Sequence, residues 1–136
     1  MENNKNNLES GFKINNLLLL ESTFSRVINV TFDNPEVVQN IDVDVNVSVN
    51  ENTVVVTEEI KYNQTFNEIQ EVSAIIKMVG VFEKFGDSEL DLENFGNING
   101  AAIIFPYIRE HLTNLTSKAG LGLIIIPPFN FTKKEK

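Results

Sequence analysis

Residues 41–50 read Ile-Asp-Val-Asp-Val-Asn-Val-Ser-Val-Asn, and this stretch decides the fold. Every odd-numbered position is apolar and every even-numbered position is polar, which is the period-2 pattern of a half-buried strand. The residues that follow, Asn50, Glu51 and Asn52, supply turn chemistry. An apolar-rich run resumes from Thr53 to Tyr62, so the two runs predict an antiparallel hairpin.

Two further strands are predicted around this hairpin. Residues 12–32 are rich in leucine and β-branched residues and end before an Asn34-Pro35 turn, which indicates a long first strand with an irregularity near Glu21 to Ser25. Val72 to Phe85 is predicted as a fourth strand that closes the sheet, with Gly80 as a bulge or close-approach point. Four strands in sequence suggest a meander.

The pattern changes to a helical one after Gly86. Residues 87–95 predict a short acidic helix or turn, and Gly96 to Gly100 predict a flexible join. From Ala101 to Ala119 the apolar residues fall three or four apart, which predicts the main helix, with Gly120 as its C-cap glycine. Pro106 is expected to kink this helix or to mark its first turn. The fold class is therefore α+β: a four-stranded antiparallel sheet packed with one long α-helix.

Length and charge bound the domain count and the partners. The 136 residues suit a single domain spanning 1–136, with flexible ends at 1–10 and 132–136, and 42% hydrophobic residues suffice for a core. A net charge of -8 offers no basic stripe, so nucleic acid is not an expected partner.

The apolar stretches and the missing cysteines bear on location. The longest apolar stretch, Leu121 to Phe129, is interrupted by glycine and proline and is too short for a membrane span, so no direct membrane insertion is expected. Residues 1–7 lack the apolar region of a secretory signal, and the absence of cysteine suits a reducing compartment. We expect a cytoplasmic protein.

Few side chains are suited to catalysis. His111 is the only histidine, and the expectation is a helix-surface or interface role. The acidic pairs Glu58-Glu59 and Asp42/Asp44 could serve as an acid–base pair or a calcium site, but a solvated strand face is the preferred interpretation. No phosphate-binding, dinucleotide-binding or hydrolase motif is present. The sequence predicts no enzyme activity, no catalytic residue, no metal and no cofactor.

The apolar content is the unusual feature. Ten phenylalanines occur without a tryptophan, and Leu121 to Phe129 is apolar yet kept from regular helix by glycine and proline. One interpretation is ordinary core cover. The other is an exposed apolar groove that receives extended peptide, with sheet edges adding backbone hydrogen bonds.

Several segments resemble the SecB family of protein-export chaperones. Ile104-Phe105-Pro106-Tyr107-Ile108-Arg109-Glu110 is similar to the family's Leu-Phe-Pro-Tyr-Ala-Arg-Glu helix, and Pro127-Pro128-Phe129-Asn130-Phe131 to its Ala-Pro-Val-Asn-Phe ending. Phe12-Lys13-Ile14 through Phe24 resembles the first strand, and Gly80-Val81-Phe82 resembles the Gly-Ile-Phe at the end of the sheet. The likeness spans about residues 12–131.

The resemblance implies a partner set and a function. Family members form dimers that pair into tetramers, hold unfolded preproteins in apolar grooves without ATP, and dock on the translocation motor SecA through acidic sheet-face residues. The expected function is therefore that of an ATP-independent holdase that keeps preproteins competent for export. The alternative is a SecB-fold interaction protein with one dedicated partner, for example an antitoxin.

The resemblance also assigns candidate residues. The client-binding groove is predicted to include Phe82, Phe85, Leu121, Leu123 and Phe129. The oligomer interface is predicted to include Tyr107, Ile108, His111, Leu112 and Leu115. Glu21 keeps an acid for motor docking, whereas Ser25 and Ile75 do not, and the sequence ends soon after Phe131 where the family continues into a second helix. These departures suggest a short homologue outside the standard export route.

Overall fold

The computed structural model describes residues 11–86, 91–122 and 131. The sheet consists of β1 (Gly11–Arg26), β2 (Val38–Asn50), β3 (Thr53–Phe66) and β4 (Ile69–Phe85). The helical layer consists of α1 (Leu92–Asn94), a π-helical segment (Phe95–Gly100) and α2 (Ala101–Lys118). The predicted α+β fold with a four-stranded antiparallel sheet and one long helix is confirmed.

The strand order is β1-β4-β3-β2, and every pairing is antiparallel. The meander prediction therefore holds for β2, β3 and β4, but β1 pairs with β4 instead of β2. Residues 27–37 connect β1 to β2, and a chain of that length reaches easily across the roughly 14 Å that three strand spacings require. Alternation identifies strands but carries no information on their order, which is why the sequence missed this connection.

One face of the sheet forms the core. Even-numbered residues of β3 and β4 face inwards, so that Val56 lies opposite Gly80 and Ile60 opposite Ile76. Odd-numbered residues of β2 share this inner face, as the alternation at 41–50 predicts. Helix α2 covers the inner face with Ala101, Ile104, Phe105, Ile108, Leu112 and Thr116, all of them buried.

Glycines set the distance between the two layers. A Cβ atom on Gly80 would lie 2.9 Å from Ile104 Cδ1, and one on Gly96 would lie 2.7 Å from Val47 Cγ1. Both distances are shorter than real Cβ contacts, so glycine is required for this approach. The prediction of close approach at Gly80 is confirmed. The predicted flexible join at Gly96 to Gly100 is instead a π-helical segment packed on the sheet, because its glycines serve packing.

Helix α2 ends as predicted at a glycine. Gly120 has a φ of 74°, its N–H donates to the Ser117 carbonyl at 3.1 Å, and the Leu121 N–H donates to the Thr116 carbonyl at 2.9 Å. These two bonds form a Schellman motif. Pro106 lies inside the helix, five residues after its start, where it leaves the Ala102 carbonyl without the usual backbone donor.

Strand β1 is irregular and shorter than predicted. Its register shifts between Ile14 and Asn16 and again between Leu19 and Glu21, slightly before the irregularity expected at Glu21 to Ser25. The strand ends at Arg26, whose guanidinium donates to the carbonyls of Val27 at 2.8 Å, Ile28 at 2.7 Å and Ala119. This arginine therefore fixes the turn after β1 to the end of α2.

Candidate binding surface

An apolar cavity of about 430 Å³ opens between the start of β1 and the helical layer. Phe12 and Phe95 stack with ring centroids 3.7 Å apart, and Phe82 meets Phe95 edge-to-face at 5.3 Å. Its lining is formed by Gly11, Phe12, Ile14, Phe82, Phe95, Asn99 and Ile103, and we name it the Phe12 cavity. The volume falls in the range that takes a small ligand or bulky side chains.

Exposed apolar side chains extend from this cavity along β1 and α2. Ile14 is 46% exposed and Ile103 is 43% exposed, and both line the cavity. On the same side of the sheet the row continues with the exposed side chains of Leu19, which lies opposite Met78, and Tyr107, whereas the exposed Leu18 lies opposite Val79 on the outer face. Strand β1 is an edge strand, because no described strand pairs with its other side. Together, a large exposed apolar area and unpaired backbone groups are typical of a surface that binds polypeptide.

A second cavity of about 290 Å³ lies at the other end of α2. It is lined by Thr31, Phe32, Asp33, Asn34, Val37, Gln39, Gln64 and Leu121, and we name it the Leu121 cavity. At this cavity Glu71 binds the loop of residues 27–37 that connects β1 to β2. The Thr31 backbone N–H donates to Glu71 at 2.9 Å and lowers the pKa of that carboxyl, with the Thr31 hydroxyl and the Gln64 amide as further donors. The mixed lining distinguishes this cavity from the apolar Phe12 cavity.

The structure separates the predicted groove residues. Phe82 is buried and lines the Phe12 cavity, and Phe85 is half-buried opposite Gly11. Leu121 lines the Leu121 cavity, which is separated from Phe82 by the length of α2, about 27 Å for 18 residues. Leu123 and Phe129 lie outside the described residues. Phe82 and Leu121 therefore line two different cavities, where the sequence suggested one groove.

The predicted interface residues divide between core and surface. Ile108 and Leu112 are 0% exposed and pack against the sheet within the protomer, so their side chains are not available to a second copy. Helical periodicity places apolar residues on one face but does not say which partner that face meets. Tyr107 is 52% exposed, and His111 and Leu115 are half-buried. Only these last three can contribute to an interface.

The predicted motor-docking position lies on the outer face of the sheet. Glu21 Oε1 is 3.8 Å from Lys77 Nζ, and both side chains are partly exposed. Ser25 lies opposite Ser73 and Ile75 lies between Thr23 and Lys61, so these two positions present no acid. Within the described outer face, Glu21 is thus paired with a cation of its own chain.

His111 forms a contact that spacing alone could not reveal. Its Nε2 lies 2.8 Å from the Ser22 Oγ, which links α2 to β1. No other side chain or carbonyl of the described residues bonds to the ring, so a third group that would orient a catalytic histidine is lacking there. Nor do the described residues contain a group of three potential metal ligands. Because this contact lies within the protomer, the interface role of His111 stays a prediction.

Glu58 departs most from expectation. Its side chain is 0% exposed, and neither carboxyl oxygen has a hydrogen-bond partner among the described residues. Burial raises its pKa to about 8. The solvated position expected for Glu58-Glu59 therefore fails for Glu58 and remains for Glu59 alone. The strand alternation predicts this burial, because Glu58 occupies the same face of β3 as Val56 and Ile60.

Sequence reasoning missed most of the Phe12 cavity. Phe12 and Phe95 are far apart in the chain, and their stacking depends on β1 pairing with β4, which the sequence did not predict. Ile103 was one of several apolar residues in a helical pattern, and its exposure could not be read from that pattern. The sequence feature that pointed to this cavity was Gly96, because a glycine next to Phe95 indicates that the segment approaches the sheet closely.

Comparison with known proteins identifies the family. The family model described as preprotein translocase subunit SecB matches residues 10–133. Among curated proteins, an uncharacterized protein of Methanocaldococcus jannaschii is 33% identical over 55 residues, which make up 40% of this chain and 36% of that protein. The aligned part thus covers about a third of that relative's length.

Two solved structures share the fold. The Mycobacterium tuberculosis SecB-like chaperone Rv1957, in complex with a ChAD peptide from the Rv1956 HigA1 antitoxin, aligns with a TM-score of 0.74 and 15% identity, covering 88% of this chain and 91% of that one. A protein of unknown function from Streptococcus agalactiae aligns with a TM-score of 0.53 and 10% identity, covering 88% and 98%. In the described residues, no helix has the length and apolar character needed to cross a membrane.

Proposed function

The chain belongs to the SecB family, and from this premise we propose that it is an ATP-independent holdase for unfolded polypeptide. The observation that carries the proposal is the exposed apolar row that runs from the Phe12 cavity along β1 and α2. An unfolded client exposes apolar side chains and unpaired backbone groups, and this surface offers partners for both. Export-competent preproteins are the proposed clients, in the cytoplasm.

The affinity of such a surface comes from several modest contacts. Burial of one leucine-sized side chain contributes roughly 1.5–3 kcal/mol, while micromolar binding requires about 8 kcal/mol beyond an association cost of at least about 4 kcal/mol, so roughly four to eight buried client side chains are needed. The stacked rings of Phe12 and Phe95 provide a rigid wall for one of them. Asn99 is the polar side chain of the lining and no charged side chain lines this cavity, which favours broad selectivity.

Self-association is part of the proposal. Strand β1 has a free edge, and on α2 Tyr107 is exposed while His111 and Leu115 are half-buried. We assign a homo-oligomer, a dimer or a dimer of dimers, to these two elements. Docking on SecA through Glu21 would have to compete with Lys77, which already pairs with that carboxylate.

A dedicated partner is the second candidate. It is favoured by the fold shared with a SecB-like chaperone that binds an antitoxin peptide. The mixed lining of the Leu121 cavity supports it further, because polar groups such as Asp33 and Gln39 select among ligands where apolar ones do not. Client breadth separates the two candidates: many unrelated unfolded proteins for the holdase, one for the dedicated chaperone.

The test uses aggregation of several chemically unfolded proteins, without nucleotide, together with the mass of the assembly. Ile103→Glu places a charge at the cavity mouth, and we expect at least a tenfold loss in affinity for unfolded client. Ala102→Glu is the matched control, since Ala102 is the exposed neighbour that does not line the cavity. If both variants suppress client aggregation equally and form assemblies of equal mass, the Phe12 cavity is not part of the client-binding site. If the parent protein does not suppress the aggregation of any of these clients, the result favours the candidate function with one dedicated partner.

A further inference from the structure

The interior of the sheet contains one carboxyl group for which the proposed function has no use. Glu58 lies in the middle of β3, it is 0% exposed, and both of its oxygens lack a hydrogen-bond partner in the described part of the chain. Native proteins rarely leave a buried polar atom unpaired, because the group loses its hydration without compensation. A buried, unpaired carboxyl in the core therefore needs an explanation.

Its surroundings on the inner face are apolar on every side. Val45 of β2 and Met78 of β4 lie directly opposite, and Val56 and Ile60 flank it along β3. Both flanking residues are fully buried. A neutral carboxyl is tolerated in such a place at moderate cost, whereas a carboxylate is tolerated only with water or a counterion.

No described charge on the inner face is placed to serve as that counterion. The charged residues next to it in the strands, Asp44, Glu59 and Lys77, belong to the outer face by alternation. The nearest titratable group along the inner face of β3 is Tyr62, and burial raises its pKa as well. On β4 the next one is Glu71, which is occupied by Thr31 and Gln64.

The helical layer and β1 supply none either. The buried residues of α2 include no titratable group. His111 is held by Ser22, and Arg26 is held by three backbone carbonyls at the end of the helix. Phe131, the described residue beyond Gly122, is buried and is not charged; its ring meets that of Phe105 edge-to-face, with the centroids 5.6 Å apart. Among the described residues nothing compensates a charge at position 58, and water that enters between the layers would do so.

We propose that Glu58 is a latch: the layer over β3 stays closed while its carboxyl is neutral and opens when the carboxyl ionises, exposing the apolar inner face of β3 and β4. The pKa of about 8 puts the transition just above neutral pH. The surface released would add Val56, Ile60, Ile76 and Met78 to the apolar area available for a client. Mildly alkaline conditions thereby enlarge the binding surface without nucleotide or a partner.

The latch is tested without any client, so its failure and the failure of the holdase proposal are distinguishable. Fluorescence of an environment-sensitive apolar dye is recorded from pH 6 to pH 9.5, with far-UV circular dichroism at each pH. The dye fluorescence of the parent protein should rise severalfold with a midpoint near pH 8, while the far-UV circular dichroism signal of its sheet persists. Glu58→Gln should keep the low-pH fluorescence throughout, and Glu59→Gln, the neighbour on the outer face, should behave like the parent.

Glu58→Met is a second variant, which is needed if the amide of Glu58→Gln disturbs folding. It should also show no rise in dye fluorescence with pH. Dye bound to the exposed β1 surface contributes a baseline common to all variants, so only the pH-dependent increment counts. The proposal is overturned if the increment survives in Glu58→Gln or Glu58→Met, or if the parent protein shows none up to pH 9.5. A rise accompanied by loss of the sheet signal would also overturn it, because that result reports unfolding.

Discussion

Replacing Glu58 by methionine should stabilise the protein, and by an amount that depends on pH. Met is close to Glu in length, is unbranched and is tolerated in apolar surroundings such as those formed by Val45 and Met78. The ordinary pKa of the carboxyl is 4.5 and burial raises it to about 8. At pH 7 the folded state must therefore hold a proton that the unfolded chain releases.

The magnitude follows from proton linkage. Each pH unit between the unfolded and the folded pKa lowers the free energy of unfolding by about 1.4 kcal/mol, because the unfolded state binds fewer protons in this window. The 2.5 units between 4.5 and 7 give about 3 kcal/mol at pH 7. Stability associated with Glu58 is thus fully present below pH 4.5, falls as pH rises, and levels off above pH 8 with a loss of about 5 kcal/mol.

The assay is urea unfolding, followed by far-UV circular dichroism at one fixed protomer concentration from pH 4.5 to pH 9, because self-association would make the apparent stability depend on concentration. The quantity compared is the difference between Glu58→Met and the parent protein, in which the titration of all other groups cancels. Glu59→Gln is the control and should differ from the parent by less than about 0.5 kcal/mol. A difference independent of pH, or a methionine variant less stable than the parent at pH 7, would refute the reasoning.

Three other predictions concern stability and are checked by the same unfolding measurement. Asn67 and Glu68 form the two-residue turn between β3 and β4 with φ of 53° and 63°, so Glu68→Gly should add about 0.5–1 kcal/mol, and Asn67→Gly less, because asparagine tolerates this region. An equal gain at both positions would contradict the strain argument. Gly96→Ala should cost about 1–3 kcal/mol, since its Cβ would lie 2.7 Å from Val47, whereas Asn99→Ala on the same segment is exposed and should be nearly neutral. Arg26→Ala should cost about 2 kcal/mol through its carbonyl contacts, and Arg26→Lys should recover only a minor part, since one ammonium cannot replace the guanidinium's spread of donors. Full recovery by lysine would mean that charge alone matters there.

The parts of the fold that local sequence determines were predictable. The alternation at 41–50 identified β2 and its buried face, and Asn50 to Asn52 identified the hairpin, because both depend on neighbouring residues. The end of α2 at Gly120 was predictable for the same reason. The place of β1 was not, because its pairing with β4 joins residues 46–74 positions apart, and leucines at 17–20 do not encode which strand they meet.

The candidate site was less predictable than the fold. A groove residue and a core residue look alike in sequence, so Phe82 was predicted as a groove residue while Phe12 and Ile103, which line the same cavity, were not. Ile108 and Leu112 were assigned to an interface from the family resemblance, which does not show that the sheet of the same protomer occupies that face of the helix. Glu58 was misread because adjacent acids suggest a solvated pair, although strand alternation sends neighbours to opposite faces.

An exposed apolar surface creates a hazard that this chain also has to manage, since the surface that holds clients can hold other copies. Two bulges interrupt β1, the edge next to the exposed leucines, and bulges limit pairing with another strand. Strand β2, the other edge, has no bulge in its pairing and instead presents Asp42 and Asp44 on its outer face. A net charge of -8 adds long-range repulsion between copies at low salt. Repulsion of this kind acts between like assemblies but not against neutral or basic clients, so the acidic composition opposes association beyond the proposed oligomer while the apolar row stays open to clients.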